Sequence, residues 1–334
     1  MTSTFAPTLG VGPQGKFAMH RVALIYNPAS GQHSIGRRAA IEKALQVLRA
    51  ARVEVEALET LAPGSAGVLA KEAIGRGCDT ILACGGDGTV HEVLQSLVGT
   101  NVALGVVPLG TANALAANLG LHSSPAKAVR KLLTAEPVRF SVGQISYSDA
   151  AGATRSRYFT VAAGVGADAL FLSRLDPGLK RRLGYFLYVI EAFRVWATHD
   201  FPLFEAAFVE PESAQPRVEE ISELLAVRIR DFGGVLNHMV PGATLHKNGL
   251  RLVAFKTRSR FRYFTFLIGV VFGRQKFSHG IELLDAVSVE CRPRNGSSTR
   301  VHAEADGELL GDLPVRLEIV PDAVTLLIPP DARP

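Results

Sequence analysis

Ile81-Leu-Ala-Cys-Gly-Gly-Asp-Gly-Thr-Val-His-Glu92 decides how this chain reads: a short apolar run, three glycines around one carboxylate, and a polar opening to a helix. Ile81 to Cys84 is short and apolar enough for a buried strand, and Thr89 with Glu92 has the spacing of a capping box at a helix start. Gly85, Gly86 and Gly88 lack Cβ atoms, so backbone N–H groups can approach a ligand closely, and the helix adds the positive end of its dipole at the same place. Such a turn suits phosphate. It is not a P-loop, since no lysine follows the glycines, nor is it the G-x-G-x-x-G dinucleotide fingerprint. The carboxylate of Asp87 would repel phosphate unless a divalent cation lies between them or the group takes up a proton during reaction. Both routes lead to phosphoryl transfer. The same residues also suit an ordinary turn, with Asp favouring turn geometry and glycine supplying positive φ.

Working outward, Leu104 to Val107 reads as another buried strand, followed by the turn Pro108-Leu-Gly-Thr-Ala-Asn-Ala-Leu115 and a helix that Gly120 can cap. Upstream, the strand Val22 to Tyr26 runs into Asn27-Pro-Ala-Ser-Gly31. Turns of this kind after neighbouring parallel strands would converge at the strands' carboxyl ends. Between them, Ile41, Ala44, Leu45 and Leu48 put an apolar stripe on a helix over residues 35–51, and Val53, Val55 and Ala57 alternate with Glu54 and Glu56 as a half-exposed strand. Ser65 stands as a cap for a helix over 66–74. This β-α alternation implies a parallel sheet with helices on both faces.

From Pro137 the register changes. Strands are expected at 138–147, 158–163, 224–229, 250–256 and 286–290, with helices over 179–197 and 260–272. Asp306-Gly-Glu308 falls in a turn before closing strands at 315–319 and 323–328. The expected architecture is therefore a flexible tail over 1–20, an α/β nucleotide-binding domain over 21–136, and a β-rich, sandwich-like domain over 137–330. The closing segment has the option of packing back on the first domain.

A chain of 334 residues, 47% hydrophobic and 20% charged, can bury a sizeable core. Its net charge of +5 suits anionic partners such as nucleotides or acidic membrane surfaces, although a basic surplus is most often solvated surface. No nucleic-acid-binding pattern is present, so no nucleic acid partner is expected. Cys78, Cys84 and Cys291 are odd in number and lack metal or redox spacing, which points to a reducing, cytoplasmic setting. No secretory signal or run of transmembrane length is visible.

Asn27-Pro-x-Ser-Gly31, Gly85-Gly-Asp-Gly-Thr89, Pro108-x-Gly-Thr-x-Asn113 and Asp306-Gly-Glu308 together resemble the diacylglycerol kinase and sphingosine kinase superfamily, especially its bacterial soluble lipid kinases, from about Arg21 to Pro329. The resemblance implies transfer of a phosphoryl group from ATP, with Mg2+, to a lipid hydroxyl. It implies Asp87 and Glu308 as catalytic carboxylates, one acting as general base and the other serving the metal, with Asp87 as the metal residue; which is the base stays open. Asn27, Ser30, Gly31, Thr60, Gly85, Gly86, Gly88, Thr89, Glu92, Gly110 and Thr111 match nucleotide-contacting positions. Ser30 and Thr89 serve equally well as helix caps or turn formers. Lys180 and Arg181 would neutralise phosphate charge, or else form a solvated basic helix start. Asp168, in Gly164-Val-Gly-Ala-Asp168, stands where the family has acids at the lipid cleft, or is an ordinary loop carboxylate. The stretch from Arg258 to Lys276 is either a core helix with basic flanks or a segment that dips into a membrane interface. Peripheral membrane contact is expected on that account, and a homodimer is left open.

The chain also departs from the family. His91 stands where Asn is usual and Ala114 where Asp is frequent. Lys247-Asn-Gly249 replaces the Asp-Asp-Gly common in bacterial diacylglycerol kinases. The missing acids speak against a structural Mg site there and weaken diacylglycerol itself as the acceptor. The rival readings are a kinase of a soluble acceptor such as NAD and a non-catalytic nucleotide or lipid sensor.

Overall fold

The computed structural model describes residues 17–28, 30, 36–110, 113–121, 124–149, 151–169, 197–213, 215–232, 240–271, 280–295 and 299–332. The helix expected over 179–197 falls outside them. The chain divides into two compact units, Met1–Val142 with Pro321–Pro334, and Gly143–Val320.

The first unit follows the alternation of its sequence: β1 Arg21–Tyr26, α1 Arg37–Ala50, β2 Glu54–Glu59, α2 Ser65–Gly75, β3 Thr80–Gly85, α3 Asp87–Leu97, β4 Ala103–Pro108, α4 Ala114–Asn118 and α5 Pro125–Leu132. Strand order is β2-β1-β3-β4, all parallel, with Tyr26 level with Cys84 and Gly85 level with Pro108. Central β3 and β4 are buried at every residue, as in a sheet covered on both faces, whereas edge strand β2 is nowhere fully buried. Right-handed crossovers that run first one way and then the other put α1 on the opposite face from α2 and α3. Accordingly α1 packs beside α5 and α2 beside α3. Ile41, Ala44, Leu45 and Leu48 are the buried residues of α1, the stripe its periodicity marks. The order reverses between β1 and β3, and the crevice past the carboxyl ends of such a pair is where open α/β sheets bind ligands. Helix α5, absent from the sequence reading, starts at Pro125 in the favoured first position after Ser124.

The second unit is antiparallel. It comprises the far part of β5 (Glu136–Ser148), β6 Thr154–Phe159, β7 Ala162–Val165, β8 Phe204–Val209, β9 Arg217–Ile221, β10 Glu223–Val227, β11 Leu250–Phe255, α6 Arg260–Val271, β12 Ile281–Ala286, β13 Ser288–Pro293, β14 His302–Ala305, β15 Glu308–Asp312 and the start of β16 (Val315–Ile328). One sheet runs β12-β11-β10-β7-β14-β15, and β9-β8-β13-β16 pair in a second. Their inner residues, among them Phe159, Phe204, Phe208, Leu224, Leu252 and Leu317, form one sandwich core. Tyr263, Phe266 and Val270 of α6 join a separate cluster with Val227, Val253 and Phe255. No helix among the described residues is long and apolar enough to cross a membrane.

Three boundaries differ from the sequence reading. The strand expected at 158–163 breaks into β6 and β7, because the amides of Thr160, Val161 and Ala162 all turn to the carboxylate of Asp306. The strand expected at 286–290 is the junction of β12 and β13, where the Val287 amide bonds to Val209 O. The two closing strands form one element, β16, with Asp322 in the left-handed region at φ 46°.

Candidate functional site

In the first unit, four strand ends meet. The Asn27 amide bonds to Cys84 O at 3.1 Å, and the Thr60 amide bonds to Tyr26 O at 2.9 Å, so the turns after β1 and β2 are pinned to β3 and β1. After β4, the amides of Leu109 and Gly110 both reach Gly85 O, at 2.9 and 3.1 Å. Here the glycines have a concrete reason. A Cβ on Gly110 would lie 2.5 Å from Gly86 Cα, and one on Gly85 would meet Thr89 Oγ1 at 2.3 Å. The two turns therefore touch backbone to backbone, and Thr89 tucks under the first of them. Asn113, at φ 51°, closes the second turn, accepting from Gly110 N at 3.1 Å and donating to Gly110 O at 2.7 Å.

Asp87 is not in the turn but is the first residue of α3, where a carboxylate complements the helix dipole. Its Oδ1 accepts the Ala114 amide at 2.7 Å, at the start of α4. The residue thus ties the Gly-Gly-Asp-Gly turn to the Pro108–Asn113 turn as well as placing a charge beside it. Glu92 corrects the capping-box expectation: its carboxylate accepts the amides of Gly64 and Ala66, at 2.8 and 3.0 Å, at the opening of α2. Ser65 does not cap α2; its Oγ donates to Ala62 O instead. Glu92 therefore holds the loop that follows Thr60. Ser30 donates its amide to Asn27 O. Gly31, Thr111, Lys180 and Arg181 lie outside the described residues. Burial pushes the Cys84 thiol up to about 12, so it stays protonated at neutral pH and packs as an apolar side chain. A cleft of about 480 Å³ between α1 and α5, lined by Lys43, Val47, Lys127 and Arg130 among others, includes none of these residues.

Glu308 and Asp168 belong to the second unit. Glu308 opens β15 and is half exposed, with Oε1 3.4 Å from the Arg157 guanidinium. Asp306, two residues before it, sits at φ 47° and takes three amides, from Thr160, Val161 and Ala162, at 2.9 to 3.0 Å. The Gly307 amide in turn bonds to Glu304 Oε2. Asp306 therefore sets the direction in which Glu308 leaves the sheet, a role that sequence reading missed although the tripeptide was noticed.

Asp168 follows β7, and Gly164 is required beneath it, since a Cβ there would fall 1.5 Å from Asp168 Oδ2. That oxygen is sealed from solvent and has no hydrogen-bond partner among the described residues. A second acid, Glu223, was not foreseen. It is buried at the head of β10, and its carboxyl accepts from Tyr263 Oη and from the Asp168 amide, the same amide that serves Asp168's own carboxyl. The signal was an acid opening an otherwise apolar strand. Burial pushes Asp168 up to about 7 and raises Glu223 as well, with the negative charge of Asp168 adding to the rise.

These features coincide with two family models: "Diacylglycerol kinase catalytic domain" over residues 21–145 and "YegS C-terminal NAD kinase beta sandwich-like domain" over residues 159–328. The chain belongs to the diacylglycerol kinase superfamily. It is 28% identical to the "Diacylglycerol kinase" of Bacillus subtilis (strain 168) over 71% of this chain and 74% of that one. It is 27% identical to the "Probable lipid kinase YegS-like" protein of Citrobacter koseri over 87% of this chain and 92% of that one. In fold it is similar to a diacylglycerol kinase structure from Bacillus anthracis str. Sterne, with TM-score 0.67 and 18% identity over 95% of this chain and 100% of that one. It is also similar to yeast NADH kinase complexed with NADH, with TM-score 0.51 and 11% identity over 93% and 84% of the two chains. The chain is thus a kinase by family, with no helix suited to crossing a bilayer among its described residues.

Two outcomes are expected. Gly110→Ala places a methyl against backbone that cannot yield, so it should cost about 1–3 kcal/mol of stability, read as a lower urea midpoint; an unchanged midpoint would mean that the turns are not locked. For the buried acids, the folded state holds a proton that the unfolded chain has already released. Stability contributed by Asp168 is therefore full near the usual carboxylate range and is lost as pH rises through about 7, with a slope of at most about 1.4 kcal/mol per pH unit for one proton. Urea melts from about pH 5 to about pH 8 should show that decline in the parent chain and a flatter profile in Asp168→Asn.

Proposed function

We propose that this chain transfers the γ-phosphoryl group of ATP to a hydroxyl group of a lipid. The observation that carries the reading is the backbone contact between Gly86 and Gly110, beside the amino end of α3 and the switch point of the sheet. Bare amides, a helix dipole and two turns without side-chain bulk suit a polyphosphate. In this reading Asp87 would serve an accompanying magnesium ion. It is one carboxylate, so the ion's remaining ligands would be phosphate oxygens and water, the usual way magnesium is held by nucleotide enzymes. Bound there, magnesium supplies charge neutralisation on the β- and γ-phosphates. Asn27, Ser30, Thr60 and Thr89 offer hydroxyl and amide groups to the nucleotide, while Glu92 acts through the loop it ties down.

The lipid acceptor is supported by relatives named as diacylglycerol and lipid kinases. It is also supported by α6, which buries Tyr263, Phe266 and Val270 and leaves Phe261, Phe264, Leu267 and Ile268 at 71%, 41%, 42% and 42% exposure. With Arg258 and Arg260 at its start, that outer face suits an anionic bilayer surface, while the inner face packs as core. In this reading Asp168 serves as the polar contact for the acceptor, and Glu308 is the alternative general base to Asp87.

Asp87→Asn keeps an oxygen for the Ala114 amide and loses only the charge. Labelled ATP incubated with a total lipid extract should yield a labelled lipid with the parent protein, and at least about 10²-fold less with the variant at an unchanged urea midpoint. Turnover equal to the parent's removes Asp87 from the chemistry, and label appearing on added NAD rather than on lipid removes the lipid reading. Flotation with anionic vesicles should carry the parent protein but not Phe261→Glu/Leu267→Glu; equal flotation of both excludes α6 as the contact.

A further inference from the structure

Among the described residues Arg228 is the largest of the fully buried side chains, placed just after the apolar run of β10. An arginine in such a place must have its charge answered. Its Nη1 donates to Lys247 O at 2.7 Å and Gly249 O at 2.6 Å, and its Nη2 donates to Leu245 O at 3.1 Å. Three carbonyls of one loop thus turn inward on one guanidinium. A neighbouring arginine acts in the same way: Arg251 Nε donates to Pro241 O at 3.0 Å while its Nη1 pairs with Asp285 at 2.9 Å. Burial lowers the Arg228 guanidinium to about 10, which leaves it charged at neutral pH.

A ring of inward carbonyls is the donor set a hard divalent ion would use, provided that carboxylates join it to offset the ion's reluctance to lose water. Here the residues do not fit magnesium. Residues 240–249 include no aspartate or glutamate, and the Lys247 ammonium points toward Asp285, 3.6 Å away, adding positive charge beside the carbonyls. An ion on those oxygens would have to displace three charge-assisted hydrogen bonds and face a fixed cation in a dry interior.

We propose that the Arg228 guanidinium is the resident cation of the loop formed by residues 240–249, and that this loop takes no divalent metal. The side chain satisfies the carbonyls that would otherwise need an ion, so the second unit folds without magnesium whatever the catalytic step requires. The proposal does not depend on the phosphoryl-transfer reading, because its readout is unfolding.

The test uses the full chain in the Asp87→Asn background, free of nucleotide, so that the ion has no site at the glycine turns. Thermal unfolding is followed after stripping with EDTA and again across a magnesium chloride titration into the millimolar range. Coincident midpoints are expected; a midpoint that climbs with magnesium and saturates overturns the proposal. Arg228→Met should lower the midpoint by about 5 °C or more, since three carbonyls lose their donors in a buried place. A midpoint equal to the parent's overturns the assignment. If Arg228→Met does not fold, the loss agrees with the proposal and the magnesium titration still decides it.

Discussion

The hydrogen bond from the Ala114 amide to Asp87 Oδ1 is the constraint on which the first unit's site depends. It joins the openings of two helices that follow neighbouring strands, and it works only because Gly86 and Gly110 let the two backbones meet. A carboxylate held in this way has its rotamer set by a neighbour's amide before any ligand arrives. Preorganisation of that kind is what a charged, phosphate-handling site needs, because reorienting a group during reaction would spend part of the electrostatic gain. The same bond explains why Asp87 belongs to α3 and not to the loop before it: the carboxylate favours the positive end of its own helix and caps the next one.

The second unit answers its buried and half-buried charges in three different ways. Asp306 is surrounded by amides, Arg228 by carbonyls, and the Asp168–Glu223 pair by each other with Tyr263 alongside. The first two are charges matched by backbone dipoles and cost the fold little. The third is a pair of acids forced together under glycines that leave no room for escape, so burial resolves it by favouring the protonated form. Of the three, only the acid pair keeps an oxygen without a partner among the described residues.

Helix α6 shows how a composition with two readings is settled by packing. Its residues are apolar on nearly every side, and spacing alone does not say which of them face a core. Aromatic stacking of Tyr263 on Phe255, with rings 4.5 Å apart, selects one face. What remains outward is then a consequence of the choice and not an independent signal.

Local chemistry determined much of this protein. The parallel α/β half, the stripe of α1 and the turns after β1, β3 and β4 were all legible, because periodicity, glycine and turn-forming residues act within a few positions of themselves. Where each carboxylate points was not legible. Glu92 reads as the cap of its own helix and instead serves α2; Asp306 breaks a strand more than a hundred residues upstream; Arg228 looks like a stray charge in a strand and holds a loop. Each of those outcomes is a contact between distant segments. A side chain's partner is chosen by which backbone amides and carbonyls the fold leaves unpaired nearby, and only the assembled chain determines that.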